Sequence, residues 1–337
     1  MRRITSGLVL LIAMLLLICS PSLAQEEPTN TQGVFNVKNF GATGDGKTLD
    51  SPAINKAIDA CAAAGGGTVY IPAGTYLSGS IHMKSNINLY IDAGAMILGA
   101  AQDLHAYDPA EAFTGHAYQD GGHTYFHNSL IWGENLKNVS VTGHGMINGG
   151  GMIAGDRDNP APSYGIGNKS IVFKLCTNVL IRDVTIFHGG HFAILVTGCN
   201  ILTIDNVTID TNRDGMDLDC CQNTTVSNCR VNSPSDDGIC PKSTYALGRL
   251  VPTENMTITN CQVSGFLEGT LLDGRMLPGR KGNGRIKLGT ESNGGFRNIT
   301  ISNCTFRDCY GLALEEVDGG TMENITIDNI TMYDVPS

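Results

Sequence analysis

The chain is poor in positive charge. Its 337 residues carry 22 Lys and Arg against 32 Asp and Glu, a formal net charge of −10. A broad basic surface for nucleic acid is therefore excluded, and an acidic substrate would have to be met by cations placed locally. Long apolar runs are scarce too. Residues 8–18 form one, too short for a comfortable membrane span, and no second run reaches that length. No cysteine and histidine spacing suits zinc, and Gly44-Asp45-Gly46 lacks the lysine pattern of a phosphate-binding loop.

What is present begins with an export signature. Arg2 and Arg3 precede the apolar run, and Ser22-Leu23-Ala24 is a small-x-small cleavage site before Gln25. A signal peptide over 1–24 is expected, leaving 25–337 as one domain of a secreted or periplasmic protein. Bulky Ile18 argues against a lipid anchor at Cys19. Ten cysteines remain beyond the signal. Export permits disulfides, but Cys229, Cys261 and Cys304 each follow an Asn at one point of a repeat. That placement predicts stacked, buried free thiols.

The repeat organises the chain. The segment 177–186 recurs at 200–209 and again from Asn223, Asn255, Asn298 and Asn324, in steps of 22, 23, 32, 43 and 26 residues. Each unit alternates apolar and polar residues with β-branched enrichment, and Gly and Asn supply the breaks. Short strands at this period predict a parallel β-helix. Steps of 22 to 26 fit one coil, 32 fits one coil with a loop, and 43 fits two coils. Asn-x-Ser/Thr at Asn138, Asn206, Asn223, Asn255, Asn298 and Asn324 would read as glycosylation sites in isolation. Their periodicity predicts turn and ladder asparagines instead.

The N-terminal part differs. A Gly-rich turn at 40–46 precedes a helix over about 51–64, with Ile54, Ala57, Ile58 and Cys61 on one stripe and Asp50 or Ser51 as its cap. Such a helix would cover the apolar end of a solenoid. His105, His116, His123 and His127 fall in the segment 101–129, which is expected to be a rim loop without metal-binding spacing.

The chemistry gathers in two runs, Asn212-Arg213-Asp214-Gly215 and Ser235-Asp236-Asp237-Gly238, whose Asp214 and Asp237 are 23 residues apart. On adjacent coils the carboxylates would lie about 4.8 Å apart per layer. Clustered acids on a rigid face suit glycosidic-bond hydrolysis, and three of them cannot all ionise freely, so one proton is held near neutral pH. Solvated Asp-Gly turns are the ordinary alternative for either run alone. A second strand follows each Asn-led one. With Met216, Ile239, Ile286 and Leu312 inward, period-two alternation turns Asp217, Asp219, Cys240, Lys242, Arg285, Lys287, Ala313 and Glu315 outward. Arg285 and Lys287 suit carboxylate recognition. Lys242 is expected to stack on Asp219 as an ion pair, and His191, 23 residues before Asp214, to lie one layer below it.

These motifs resemble the polygalacturonase-type glycoside hydrolases, family 28, over roughly 34–335. The carriers are the 40–46 entry, Gly65 to Val69, Pro72 to Tyr76, Asn212 to Asp214 and Asp236-Asp237. The resemblance implies an all-β, right-handed, single-stranded parallel β-helix with an N-terminal capping helix. It implies inverting hydrolysis of α-1,4 links in pectic galacturonan without a cofactor. Asp236 would be the general acid, while Asp214 and Asp237 would hold and activate the water. Arg285, Lys287, Lys242, Asn283, His191 and Asn212 are the candidate substrate-contacting residues. The expected partner is a pectic polysaccharide or oligogalacturonide, with no nucleic acid, no membrane and a monomeric state.

Departures accompany the match. Arg213 replaces the usual Thr, Asn283 stands where the family has the histidine of Gly-His-Gly, and Arg285-Ile286-Lys287 falls one coil early, with Ala313 and Glu315 at the expected cation positions. The chain also stops where family members continue, so its last coil is expected to expose an apolar edge. A Ca²⁺-dependent pectate lyase and a non-catalytic carbohydrate-binding solenoid remain as alternatives.

Overall fold

The structure, a computed structural model, describes residues 33–112, 121–155, 166–279 and 283–336. The export signal lies outside them. Among the described residues, no helix is long and apolar enough to cross a membrane.

Three parallel sheets run the length of a right-handed β-helix, two of ten strands and one of eight. The first holds the Asn-led strands, including Thr177–Arg182, Asn200–Asp205, Gln222–Ser227, Thr253–Thr259 and Phe296–Ser302. The second holds shorter strands such as Thr208–Asp210, Arg230–Asn232, Gln262–Ser264 and Thr305–Arg307. The third ascends through Ile131–Glu134, Ile171–Lys174, Phe192–Thr197, Asp214–Asp219, Ile239–Lys242, Ile286–Leu288 and Leu312–Leu314. Register is strict, so inward side chains stack on their like. Ile181, Ile204, Val226, Ile258 and Ile301 form one such column. Ile186, Ile209, Val231, Val263 and Phe306 form another. Both are buried. Burying each such side chain favours the fold by roughly 1.5–3 kcal/mol.

The step of 43 residues is one coil, not two. Thr253 pairs directly with Phe296, and the extra chain leaves the helix as the excursion after Ser264. A periodic count cannot tell an inserted loop from an added coil.

The asparagines form the expected ladder. Asn138, Asn178, Asn223, Asn255, Asn298 and Asn324 all have φ between 53° and 59°, the left-handed region that Asn tolerates better than other non-glycine residues. Asn178 donates to Asn138 at 2.9 Å, Asn298 to Asn255 at 3.0 Å and Asn324 to Asn298 at 2.9 Å. The thiols are stacked, too. All ten described cysteines are buried and free.

The helix Ser51–Ala63 buries Ile54, Ala57, Ile58 and Cys61 against the first coils, as its stripe predicts. Asp50 precedes it without capping it. Its carboxylate instead accepts from the backbone N–H of Thr43 and Gly44, at 2.7 and 2.9 Å, and so ties down the Gly-rich turn. In the last coil, Leu314, Ile327, Met332 and Tyr333 are exposed.

Candidate active site

The parallel ladder puts the two acidic runs in contact. The N–H of Gly215 donates to the Asp237 carbonyl at 2.9 Å, and that of Met216 to the Gly238 carbonyl at 2.9 Å. The glycines serve this approach. A Cβ on Gly215 would lie 2.4 Å from the Gly238 oxygen, which no packing adjustment tolerates. The Asp-Gly pairs are therefore close-packed coil junctions, not solvated turns, and Asp214 and Asp237 are buried.

Asp214, Asp236 and Asp237 each offer a carboxylate oxygen within 4.8 Å of the others. Their environments differ. Asp236 is about one-third exposed, and Arg213 lies 3.3 Å from it and 3.8 Å from Asp214. Asp237 is held on both oxygens. Arg285 Nε donates to Oδ1 at 2.6 Å and Lys287 Nζ lies 2.9 Å from Oδ2. Glu315 sits 3.8 Å from each of these cations. Burial, joined by the charges of Asp236 and Asp217, pushes the Asp214 carboxyl well above its ordinary range against the pull of Arg213. Among the three acids, burial thus favours the protonated form at Asp214. The carboxylates of Asp236, Asp237 and Glu315 face three cations, Arg213, Arg285 and Lys287.

The remaining candidates make contacts within the frame. Asn212 accepts from Ser235 Oγ at 2.8 Å, and Asn283 Nδ2 donates to the Ser235 carbonyl at 2.7 Å, linking three successive turns. His191 is buried and lies under Arg213, not Asp214, because Phe192 is the register partner of Asp214. Its Nδ1 is 2.8 Å from Arg213 Nη1 and 3.0 Å from the Ala154 carbonyl. Lys242 stands apart. It stacks on Asp219 in register, but its Nζ pairs with Glu291 at 2.6 Å in the interior, so the expected Asp219–Lys242 ion pair is not formed.

Two further residues belong to this region although motif spacing does not single them out. Arg213 stands out in the sequence only as a departure from the family pattern, yet it bridges two of the acids. Its position inside the acidic motif is the available signal. His123 is expected in a rim loop but is fully buried, with Nε2 3.3 Å from Asp217 and Nδ1 3.2 Å from Asp219. Burial opposes its charge, but Asp219 and Asp217 outweigh it and hold its pKa well above the usual value. Asp219 also accepts from Thr244 N and Oγ1, at 2.8 and 2.7 Å. The hint in the sequence is two outward acids, Asp217 and Asp219, in need of a cation.

Fold and site together define a right-handed parallel β-helix protein with an acid cluster at the junction of two coils. The chain belongs to the rhamnogalacturonase A/epimerase, pectate lyase-like family, whose model matches residues 34–266. A probable polygalacturonase of Vitis vinifera is 25% identical over 274 residues, 77% of this chain and 52% of that protein. The chain thus spans about half that relative's length. A polygalacturonase of Gossypium hirsutum is 26% identical over 323 residues, covering 87% of this chain and 72% of the relative. The fold is shared with an exopolygalacturonase from Thermotoga maritima at TM-score 0.70 and 23% identity, covering 90% of this chain and 77% of that one. The polygalacturonase resemblance carried by the motifs holds.

Proposed function

We propose that residues 25–337 form one exported, monomeric catalytic domain that hydrolyses α-1,4-galacturonosyl bonds of pectic polysaccharide with inversion. The observation that carries the reading is the meeting of Asp214, Asp236 and Asp237 across two adjacent coils, with oxygens within 4.8 Å. Asp236, the exposed member, delivers the proton to the leaving oxygen. Asp214 and Asp237 hold the attacking water from beneath. One shared proton suffices. When it moves from Asp214 to Asp236 on substrate binding, Asp214 is left ionised and can take a proton from water. After bond cleavage the proton is again on Asp214, where burial favours it.

Retention would need an ionised nucleophile free to reach the anomeric carbon. Asp237 has both oxygens engaged, and burial disfavours the ionised form of Asp214, which favours water as the nucleophile. The nearest oxygens of the trio lie within 4.8 Å of one another, which favours a water held above the acids. Arg213, Arg285 and Lys287 already pair with these acids, which disfavours the trio as a Ca²⁺ site of the lyase kind.

The deciding experiment is product analysis on polygalacturonan and rhamnogalacturonan, with the released anomer followed by NMR. Asp236→Asn should lower turnover by about 10²–10⁴-fold with unchanged circular dichroism. Near-normal activity in that variant, or an unsaturated UV-absorbing product from the wild type, would sink the assignment.

A further inference from the structure

A groove of about 820 Å³ lies on a different sheet from the acid cluster. Its floor is the outer face of the second sheet, and its roof is the excursion that follows Ser264. The roof is fixed from within. The buried Asp210 carboxylate accepts from the N–H of Gly269 at 3.0 Å and Leu272 at 3.2 Å, and from Asn232 Nδ2 at 2.9 Å. Asn232 Oδ1 in turn accepts from the Phe266 N–H at 2.7 Å. A buried carboxylate satisfied by backbone donors holds a loop in one place, so the groove is preformed.

Its lining combines two guanidiniums with hydroxyl and amide groups and aromatic rings. Arg230, Gln262 and Thr305 are register partners on three successive coils, and Arg307 is the partner of Ser264 in the neighbouring column. Arg307 lies 5.7 Å from the Phe266 ring centroid and donates to Met276 Sδ at 3.7 Å. Neither contact neutralises its charge. A guanidinium held near a ring keeps N–H groups available for a carboxylate. Tyr333 and a single carboxylate, Asp334, complete the open end.

We propose that this groove is a second binding site for an acidic polysaccharide, separate from the catalytic cluster. Hydrogen-bonding side chains at one per coil, about 4.8 Å apart, match a ligand with a repeating polar unit. The two arginines, two coils apart, require that the repeat carry anionic groups. The uronate chain is therefore gripped through its carboxylates by Arg230 and Arg307 and through its hydroxyls by Gln262 and Thr305. The need for an anionic repeat follows from the groove's own arginines; that the repeat is a uronate rests on the proposed function.

Isothermal titration of the full chain carrying Asp236→Asn with a short oligogalacturonide should show two sites. Adding Arg230→Gln and Arg307→Gln should remove one and weaken retention on immobilised polygalacturonate at least about tenfold, the loss of a charge-assisted contact. In the wild-type background the same pair should leave hydrolysis of short substrates unchanged. Arg230→Glu alone serves if the double variant folds poorly, and should give the same loss. Unchanged stoichiometry and retention, or equal retention on neutral dextran, would overturn the proposal. Loss of hydrolysis with retention intact would count against the groove as a separate site. Two-site binding by a chain that cuts nothing would sink only the hydrolase reading.

Discussion

One outward column of the third sheet holds two chemistries. In its lower half, Trp132, Val172 and Leu195 are register partners. Val172 and Leu195 pack with Phe126 and Phe192, and Trp132 lies against them. Above them, the same column continues as Asp217 and Cys240, with Lys287 and Ala313 paired higher up. Backbone geometry is alike in both halves, so the ladder is indifferent to what it displays. The lower half contributes stability, and the upper half carries charges that must neutralise one another. His123 marks the boundary, reaching from the covering loop to Asp217 and Asp219.

Breaking the boundary should have the largest effect. His123→Ala leaves Asp217 and Asp219 buried without their cation and should cost about 3–5 kcal/mol in denaturant unfolding. The pH dependence has a definite sign. The His123 pKa is raised on folding, so its contribution is complete below the ordinary histidine value near 6.5 and is lost as pH rises through the higher folded value. Wild-type stability should fall over that alkaline window, and the alanine variant should lack this component.

Within the upper half, two lysines sharpen the contrast between frame and site. Lys242→Ala strands Glu291 in the interior and should appear mainly as lost stability, again about 3–5 kcal/mol. Lys287→Ala leaves Asp237 with Arg285 alone, so the fold should survive while kcat falls roughly tenfold, about 1.4 kcal/mol of barrier. A reversed pattern, measured by thermal unfolding and initial rates, would move Lys242 into the site.

In the apolar half, Leu195→Ala should cost about 2–5 kcal/mol through lost burial and a residual cavity, with activity per folded molecule retained. The smallest effect is expected at the exposed asparagine ladder. Asn298→Ala places an ordinary side chain at φ 53° and should cost about 1–2 kcal/mol, read as a lower denaturation midpoint.

Much of this arrangement is legible in the residue spacing. The strand repeats, the capping stripe at Ile54, Ala57, Ile58 and Cys61, the stacked thiols and the coil-to-coil adjacency of Asp214 with Asp237 follow from periodicity. Pairings that depend on long side chains or on loops do not. Lys242 reaches Glu291, 49 residues on, rather than the Asp219 on which it stacks. His123 meets acids nearly a hundred residues away with no period linking them. His191 falls under Arg213 because strand register, not motif spacing, sets the layer.

By itself, the sequence determined the helix and the nearness of the three acids, because parallel stacking converts residue spacing into spatial neighbourhood. Tertiary structure alone decided which acid is the more deeply buried, which cations serve the acids and which loop covers the rest. Those outcomes depend on burial and on short distances between groups that no repeat relates, and electrostatic energies change steeply with both.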